Sequence, residues 1–283
     1  MTHTPLPIPT YSLNDGAQIP AIGLGTYKLS GSTGVEAMVA AIRAGYRLLD
    51  SAVHYENEGA VGRAVRRSGI PREELILTSK LPGRHHEYSR AVNTVHESLY
   101  RAGLDYWDMY LIHWPNPRRG LYVEAFQALA DMQKAGLIRT VGVSNFLPEH
   151  IERVRDEVGM VPAVNQIEMH PYFPQTEQRL AHNALGIQTQ SWSPIGRGNG
   201  VADEKVIHVI AEEMEMTPIQ VILRWHIQLG SIPLPKSAHP QRQQENLDVW
   251  KYELSPEHMS AITALGKENG RRTNQDPLTY EDL

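Results

Sequence analysis

The stretch Gly45-Tyr-Arg-Leu-Leu-Asp50-Ser-Ala-Val-His-Tyr55-Glu-Asn-Glu58 sets the reading of this chain. An apolar run, Leu48-Leu49, stops abruptly at a carboxylate. A tyrosine follows five residues later, and Glu-Asn-Glu-Gly then opens an amphipathic helix. A short strand that ends in a charged residue and feeds a helix is how an α/β scaffold sets chemistry on a rigid frame.

Working downstream, the alternation repeats. The apolar patterns predict strands at Leu75–Lys80, Met109–His113, Thr140–Ser144, Val164–Ile167, Ile187–Trp192 and Ser231–Leu234. Helical spacing predicts Asn57–Arg67, Ser89–Ala102, Leu121–Ala135, Pro148–Val158, Thr176–Ala184, Asp203–Met214 and Gln241–Leu247. One more helix starts at Thr217-Pro-Ile-Gln220, with its capping box, and Ser255-Pro256 caps a last one. Upstream, residues 11–20 read as a hairpin turning at Asn14-Asp15-Gly16. Ile22–Tyr27 is the first barrel strand, and Thr33-Gly-Val-Glu36 reads as the capping box of the following helix.

About eight strands from Ile22 onward, each followed by a helix, fit one α/β domain over residues 1–283, a closed (β/α)8 TIM barrel with an N-terminal β-hairpin. The competing open, doubly wound sheet carries a glycine-rich phosphate turn after its first strand. Gly23-Leu-Gly25 begins such a turn, but Lys28 stands where the third glycine belongs.

Composition narrows the function. The net charge of −5 gives no reason to expect nucleic acid or an anionic membrane. There are no cysteines, so disulfides, thiolate catalysis and cysteine-based zinc sites are excluded. No apolar run approaches the ~20 residues of a membrane span. Met1 to Pro9 lacks the basic and apolar regions of a signal peptide. A soluble, cytoplasmic monomer is the expectation.

Asp50, Lys80, His113, Ser144, Gln166, Trp192 and Lys236 each sit where an apolar run stops. In a (β/α)8 barrel those ends converge on one face. Each alone has a plainer reading: Asp50 as a helix cap, Tyr55 as packing, Lys80 as a solvated amine, His113 as a half-buried imidazole. Their joint occurrence at successive strands favours chemistry. His85-His86 has no third metal ligand at a recognisable spacing, so no metal site is read.

With these residues on the page, the chain resembles the aldo-keto reductase family. Residues 45–58 are similar to its signature, and Thr78-Ser-Lys80 and Leu111-Ile-His113-Trp-Pro115 to its lysine and histidine motifs. Val141-Gly-Val-Ser-Asn-Phe146 and Asn165-Gln-Ile-Glu-Met-His170-Pro resemble its nicotinamide-binding strands, and Ile232-Pro-Leu-Pro-Lys236-Ser237 its phosphate site. The motifs run in the family's order from about residue 20 to 250.

The resemblance implies reduction of a small aldehyde or ketone, sugar-derived or dicarbonyl, with NADPH. It implies Tyr55 as general acid, Lys80 as the ammonium that lowers its pKa, Asp50 as the charge that balances and positions Lys80, and His113 as the group that orients the carbonyl oxygen. It places the nicotinamide on Trp192, with the carboxamide held by Ser144, Asn145 and Gln166. The pyrophosphate would run along Ser193, Pro194, Ile195 and Gly196. Lys236, Ser237 and Arg242 would hold a 2′-phosphate, and Glu245 and Asn246 the adenine. Tyr27, His113 and Trp114 would line the substrate pocket.

The chain departs from the family where a Trp often stands two positions after the lysine; here the run is Leu81-Pro82-Gly83. The region after Gly270 is short, as in bacterial members such as the 2,5-diketo-D-gluconate reductase group, which suggests a more open pocket than in larger members with a long C-terminal loop. Residues 196–200, Gly-Arg-Gly-Asn-Gly, read as a flexible cover. Two other readings compete. One is an NADPH-binding regulatory barrel with little turnover, against which the intact tetrad argues. The other is a barrel hydrolase or lyase using Asp50 and Glu168, in which Lys236 to Asn246 would have no role.

Overall fold

The computed structural model describes residues 8–273 and 275–282. Strands β1 (Thr10–Ser12) and β2 (Gln18–Pro20) form the antiparallel hairpin. Its turn passes through Gly16 at φ +88, a conformation glycine adopts without strain. Eight parallel strands follow in sequence order around one sheet. They are β3 (Leu24–Gly25), β4 (Leu48–Asp50), β5 (Ile76–Leu81), β6 (Trp107–Ile112), β7 (Ile138–Ser144), β8 (Val164–Glu168), β9 (Gln188–Trp192) and β10 (Ile232–Pro233).

The sheet closes on itself. Gly23 N–H donates to Pro233 O and Gly25 N–H to Pro235 O, each at 3.1 Å, joining the first barrel strand to the last. This seam explains the two glycines that imitate a dinucleotide turn. A Cβ on Gly23 would lie 2.7 Å from Leu234 Cδ2 and Leu48 Cγ, and one on Gly25 would lie 2.8 Å from Leu234 O. The last strand is shorter than its apolar run because Pro233 and Pro235 have no N–H to give the ladder.

Helices α1 (Gly31–Ala44), α2 (Glu58–Ser68), α3 (Tyr88–Ala102), α4 (Tyr122–Lys134), α5 (Pro148–Val158) and α6 (Thr176–Ala184) alternate with the strands. Two helices, α7 (Lys205–Glu213) and α8 (Pro218–Gln228), separate β9 from β10, and α9 (Pro240–Leu247) and α10 (Pro256–Thr263) follow. The expected capping boxes divide. Thr217 Oγ1 accepts from Gln220 N–H and Gln220 Oε1 from Thr217 N–H, as the spacing predicts. Thr33 does not cap α1: the chain turns at Gly31 (φ +62) and the helix has begun from Ser30, so Thr33 lies within its first turn.

Strand residues alternate between two cores. Tyr110 and Ile112 face the helices, where Met38, Ile42, Val61, Val95 and Phe126 pack. Met109 and Leu111 face the barrel interior with Leu48, Val164, Ile232 and Leu234. Leu13 and Ile19 of the hairpin join that inner cluster and plug its N-terminal end. Burial of several large apolar side chains there, at about 1.5–3 kcal/mol each, leaves only the opposite mouth for polar chemistry. Among the described residues no helix is long and apolar enough to cross a membrane.

Candidate active site

The strand ends meet at that mouth around a cleft of about 480 Å³. Strand alternation separates neighbours on β5. Ser79 turns outward, its Oγ donating to Glu58 Oε1 at 2.5 Å, while Lys80 turns inward and is fully buried. Lys80 Nζ donates to Asp50 Oδ2 at 2.8 Å and to Ser51 O at 2.7 Å, and lies 3.5 Å from the Tyr55 hydroxyl. The second Asp50 oxygen accepts from Gln166 Nε2 at 2.8 Å, which ties β4 to β8 across the barrel. A buried ammonium is tolerated only with such partners.

Tyr55 ends the short 3-10 turn Val53–Tyr55. Asn57 fixes that turn: its Oδ1 accepts from Ser51 Oγ at 2.7 Å, and its Nδ2 donates to Thr26 O at 2.8 Å and Leu29 O at 3.0 Å. Glu58 is equally structural, pairing with Arg101 at 2.7 Å and accepting from Ser98 Oγ. Neither lines the cleft.

One electrostatic expectation is corrected. The Tyr55 pKa is not lowered in sum: burial holds the phenol well above its usual 10, Asp50, Tyr27 and Asp282 add to the rise, and Arg197 opposes it. The ammonium's field on the phenol is largely cancelled by the carboxylate 2.8 Å from it. Tyr55 is therefore protonated at neutral pH. Burial also draws the Lys80 pKa down, against the pull of Asp50. His113, at the end of β6, has its ring 5.9 Å from that of Tyr55, and burial holds it below 6.5.

The proposed nicotinamide residues also line the cleft, but their polar groups are largely spent on one another. Trp192 Nε1 donates to Asn145 Oδ1 at 2.8 Å. Asn145 Nδ2 donates to His113 O and Ser144 Oγ, each at 3.0 Å, and Ser144 Oγ to Gln166 O at 2.7 Å. Asn145, at φ +62, thus acts as a bracket for the indole. Ser193, Pro194 and Ile195 continue along the cleft, and buried Gly196 follows at φ +67. Lys236 lines the far end. Ser237 is buried, its Oγ 3.1 Å from the His239 N–H it accepts. Exposed Arg242 and half-buried Glu245 stand on α9, and Asn246 is buried on its inner side. The last three do not line the cleft itself.

Of the substrate residues, Tyr27 packs edge-on to Tyr55 at 5.1 Å, and Trp114 lies 6.5 Å from Trp192. The 196–200 loop reaches back across the mouth, with the Arg197 guanidinium 4.6 Å from the Tyr27 ring. His86 is buried, with its pKa pushed down to about 3. His170 is a buried scaffold residue, 3.1 Å from Glu168. Glu168 also accepts from Arg272 N–H at 2.7 Å, so it anchors the tail and is not available as an acid or base partner for Asp50.

The short tail turns back over the mouth, and Gln275, Tyr280 and Asp282 line the cleft. Tyr280 lies 4.5 Å from Trp114, and Asp282 Oδ2 is 3.2 Å from His113 Nδ1. Sequence reasoning missed these residues, as well as His54 and Arg197. The tail has no periodicity, and an aromatic and an acid in a polar segment carry no signal of where the segment docks.

A parallel barrel with a buried Asp–Lys pair set against a tyrosine and a histidine at its mouth is the arrangement of the aldo/keto reductases. The chain belongs to the aldo/keto reductase family, whose model matches residues 21–267. It is 51% identical to 2,5-diketo-D-gluconic acid reductase B of Corynebacterium sp. (strain SHS752001) over 98% of this chain and 99% of that one. Among solved structures, it is similar to a Gox0644 variant in complex with NADPH, with a TM-score of 0.93, 39% identity, and coverage of 98% and 100% of the two chains. It is also similar to a Bombyx mori aldo-keto reductase in complex with NADP, with a TM-score of 0.90, 33% identity, and coverage of 98% and 99%.

Proposed function

We propose that this protein reduces small aldehydes or ketones to alcohols with NADPH, with Tyr55 as the proton donor. Reduction adds hydride to the carbonyl carbon and a proton to its oxygen. NADPH supplies the hydride when bound, and the protein's work is orientation and proton delivery. The observation that carries the reading is the Tyr55 hydroxyl, protonated at neutral pH, 3.5 Å from Lys80 and beside His113 in the cleft. A general acid must hold its proton at the working pH and reach the reacting oxygen. Lys80, held by Asp50, lies beside the hydroxyl and fixes its place.

The chemistry of the cleft suits the cofactor. The Trp192 indole, locked by Asn145, offers a flat apolar face for a nicotinamide ring. Lys236 at the end of the cleft, with Ser237 and Arg242 beyond it, offers cationic partners to a phosphate. The likeness to structures holding NADPH and NADP supports this choice. Sugar-derived and dicarbonyl compounds are the proposed substrate class, supported by the diketogluconic acid reductase relative.

The test is Tyr55→Phe. It should lower kcat by about 10²–10⁴-fold toward every aldehyde reduced by the native protein, while NADPH binding by fluorescence titration is retained. Full activity in that variant would remove Tyr55 from the acid role.

A further inference from the structure

The chain from Pro235 to His239 leaves the barrel seam and enters α9. Its upstream end is fixed at the seam, where Pro235 O accepts from Gly25 N–H at 3.1 Å. Beyond it Lys236 is exposed, Ser237 is buried, and Ala238 and His239 are exposed. On α9 the inner stripe is Gln243, Asn246 and Leu247, the spacing of a helix face turned toward the protein. Gln243 is fully buried, at a place in that stripe where an apolar residue would pack at less cost.

Gln243 Nε2 donates to Ser237 O at 2.9 Å and to Ala37 O of α1 at 3.0 Å. Carbonyl oxygens only accept, so the nitrogen end of the amide is the end that faces them. Its Oε1 is buried with no partner among the described residues. A buried acceptor left unpaired is a cost, which argues against stability as the reason for a glutamine here. What the amide does is join the Lys236–Ser237 loop to α1, 206 positions away in the chain. The far end of α9 is held separately, since Gln220 Nε2 donates to Glu245 O at 3.0 Å and to Asp248 O at 3.2 Å. Loss of the Gln243 amide therefore frees the loop and leaves the helix seated.

We propose that Gln243 is a positioning residue that presets the Lys236–Ser237 loop for a 2′-phosphate and so sets the preference for NADPH over NADH. This deepens the carbonyl-reductase reading and rests on its assignment of that phosphate to Lys236, Ser237 and Arg242. Gln243 does not line the cleft, so replacing it removes no lining group. Its effect runs through the backbone. With Pro235 held by the seam and Ser237 by Gln243, the main chain on both sides of Lys236 is already ordered. Only the flexible lysine stem is left to order when a phosphate binds. A loop freed at Ser237 must be ordered by the phosphate itself, at the expense of affinity. NADH has no group for this loop, so its binding is indifferent to the loop's order.

The test uses the full chain, native and Gln243→Met, in fluorescence titrations with NADPH and with NADH, and in amide hydrogen exchange without cofactor. Methionine keeps the length and bulk of the side chain and removes its donors; Gln243→Leu is the second variant if methionine packs poorly. The NADPH Kd should rise about tenfold, while the NADH Kd and kcat at saturating NADPH stay within about twofold of native. Exchange at residues 236–239 should quicken, with the C-terminal turn of α9 unchanged. Equal weakening of both cofactors, an unchanged NADPH affinity, or unchanged exchange at 236–239 overturns the proposal. Equal affinity of the native protein for the two cofactors defeats the phosphate reading and the selectivity claim with it. The exchange measurement then still decides whether Gln243 holds the loop.

Discussion

Lys80 Nζ and Asp50 Oδ2 meet at 2.8 Å at the mouth of the barrel, on adjacent strands, with the lysine fully buried. The pair is costly to assemble and more costly to break, because removing one partner strands a charge in a site with little water.

A double-mutant cycle should expose that asymmetry. Asp50→Asn leaves an uncompensated ammonium and should destabilise the fold by about 3–5 kcal/mol in urea unfolding. Lys80→Met alone strands the carboxylate, although Gln166 Nε2 still donates to it. The double variant should be more stable than the sum of the two single losses predicts. Additive losses would mean the pair is not coupled.

Arg242 stands exposed in the first turn of α9, beyond the end of the cleft where Lys236 lies. If it pairs with a terminal phosphate, Arg242→Ala should weaken NADPH binding by about ten- to a hundredfold and leave NADH nearly untouched. Fluorescence titration with the two cofactors separates the outcomes, and equal losses would remove the phosphate role.

Three buried histidines predict acid sensitivity. Burial pushes His86 and His226 down to about 3 and His182 to about 4. His182 is spanned by Asn165 and Thr189, each at 2.9 Å, and His226 Nε2 lies 2.9 Å from Pro194 O. Their folded pKa values lie below that of the unfolded chain, near 6.5. The unfolded state therefore binds more protons between those limits, so stability is intact above about pH 6.5 and falls as pH drops toward the folded values. Each histidine contributes up to about 1.4 kcal/mol per pH unit in that window. Tm should decline from pH 7 to pH 4, and a Tm flat across that range would contradict the assignment.

The barrel and the tetrad are legible in the sequence for a physical reason. A strand must bury its apolar residues, and the residue at which the run stops marks the mouth. Reading Asp50, Lys80 and His113 as run endings thus located them on one face before any contact was known. The two seam glycines show the limit of such reading: Gly23 and Gly25 look like a phosphate turn, and only the approach of Leu234 gives their purpose. Thr33 likewise has the spacing of a cap, but the chain had already turned into the helix at Gly31.

The sequence by itself determined the alternation of elements, the closed barrel, and the acid, amine, imidazole and phenol at its mouth, because periodicity and run endings are local properties of the chain. Only the tertiary structure decided how those groups bear on one another. Burial outweighs the Lys80 charge in holding the Tyr55 proton, which depends on how much protein surrounds the hydroxyl. The structure alone also brought Asp282 to His113 across 169 positions of chain. That contact comes from tail docking through Asn116, Arg118 and Trp114, and no local pattern in residues 275–282 records it.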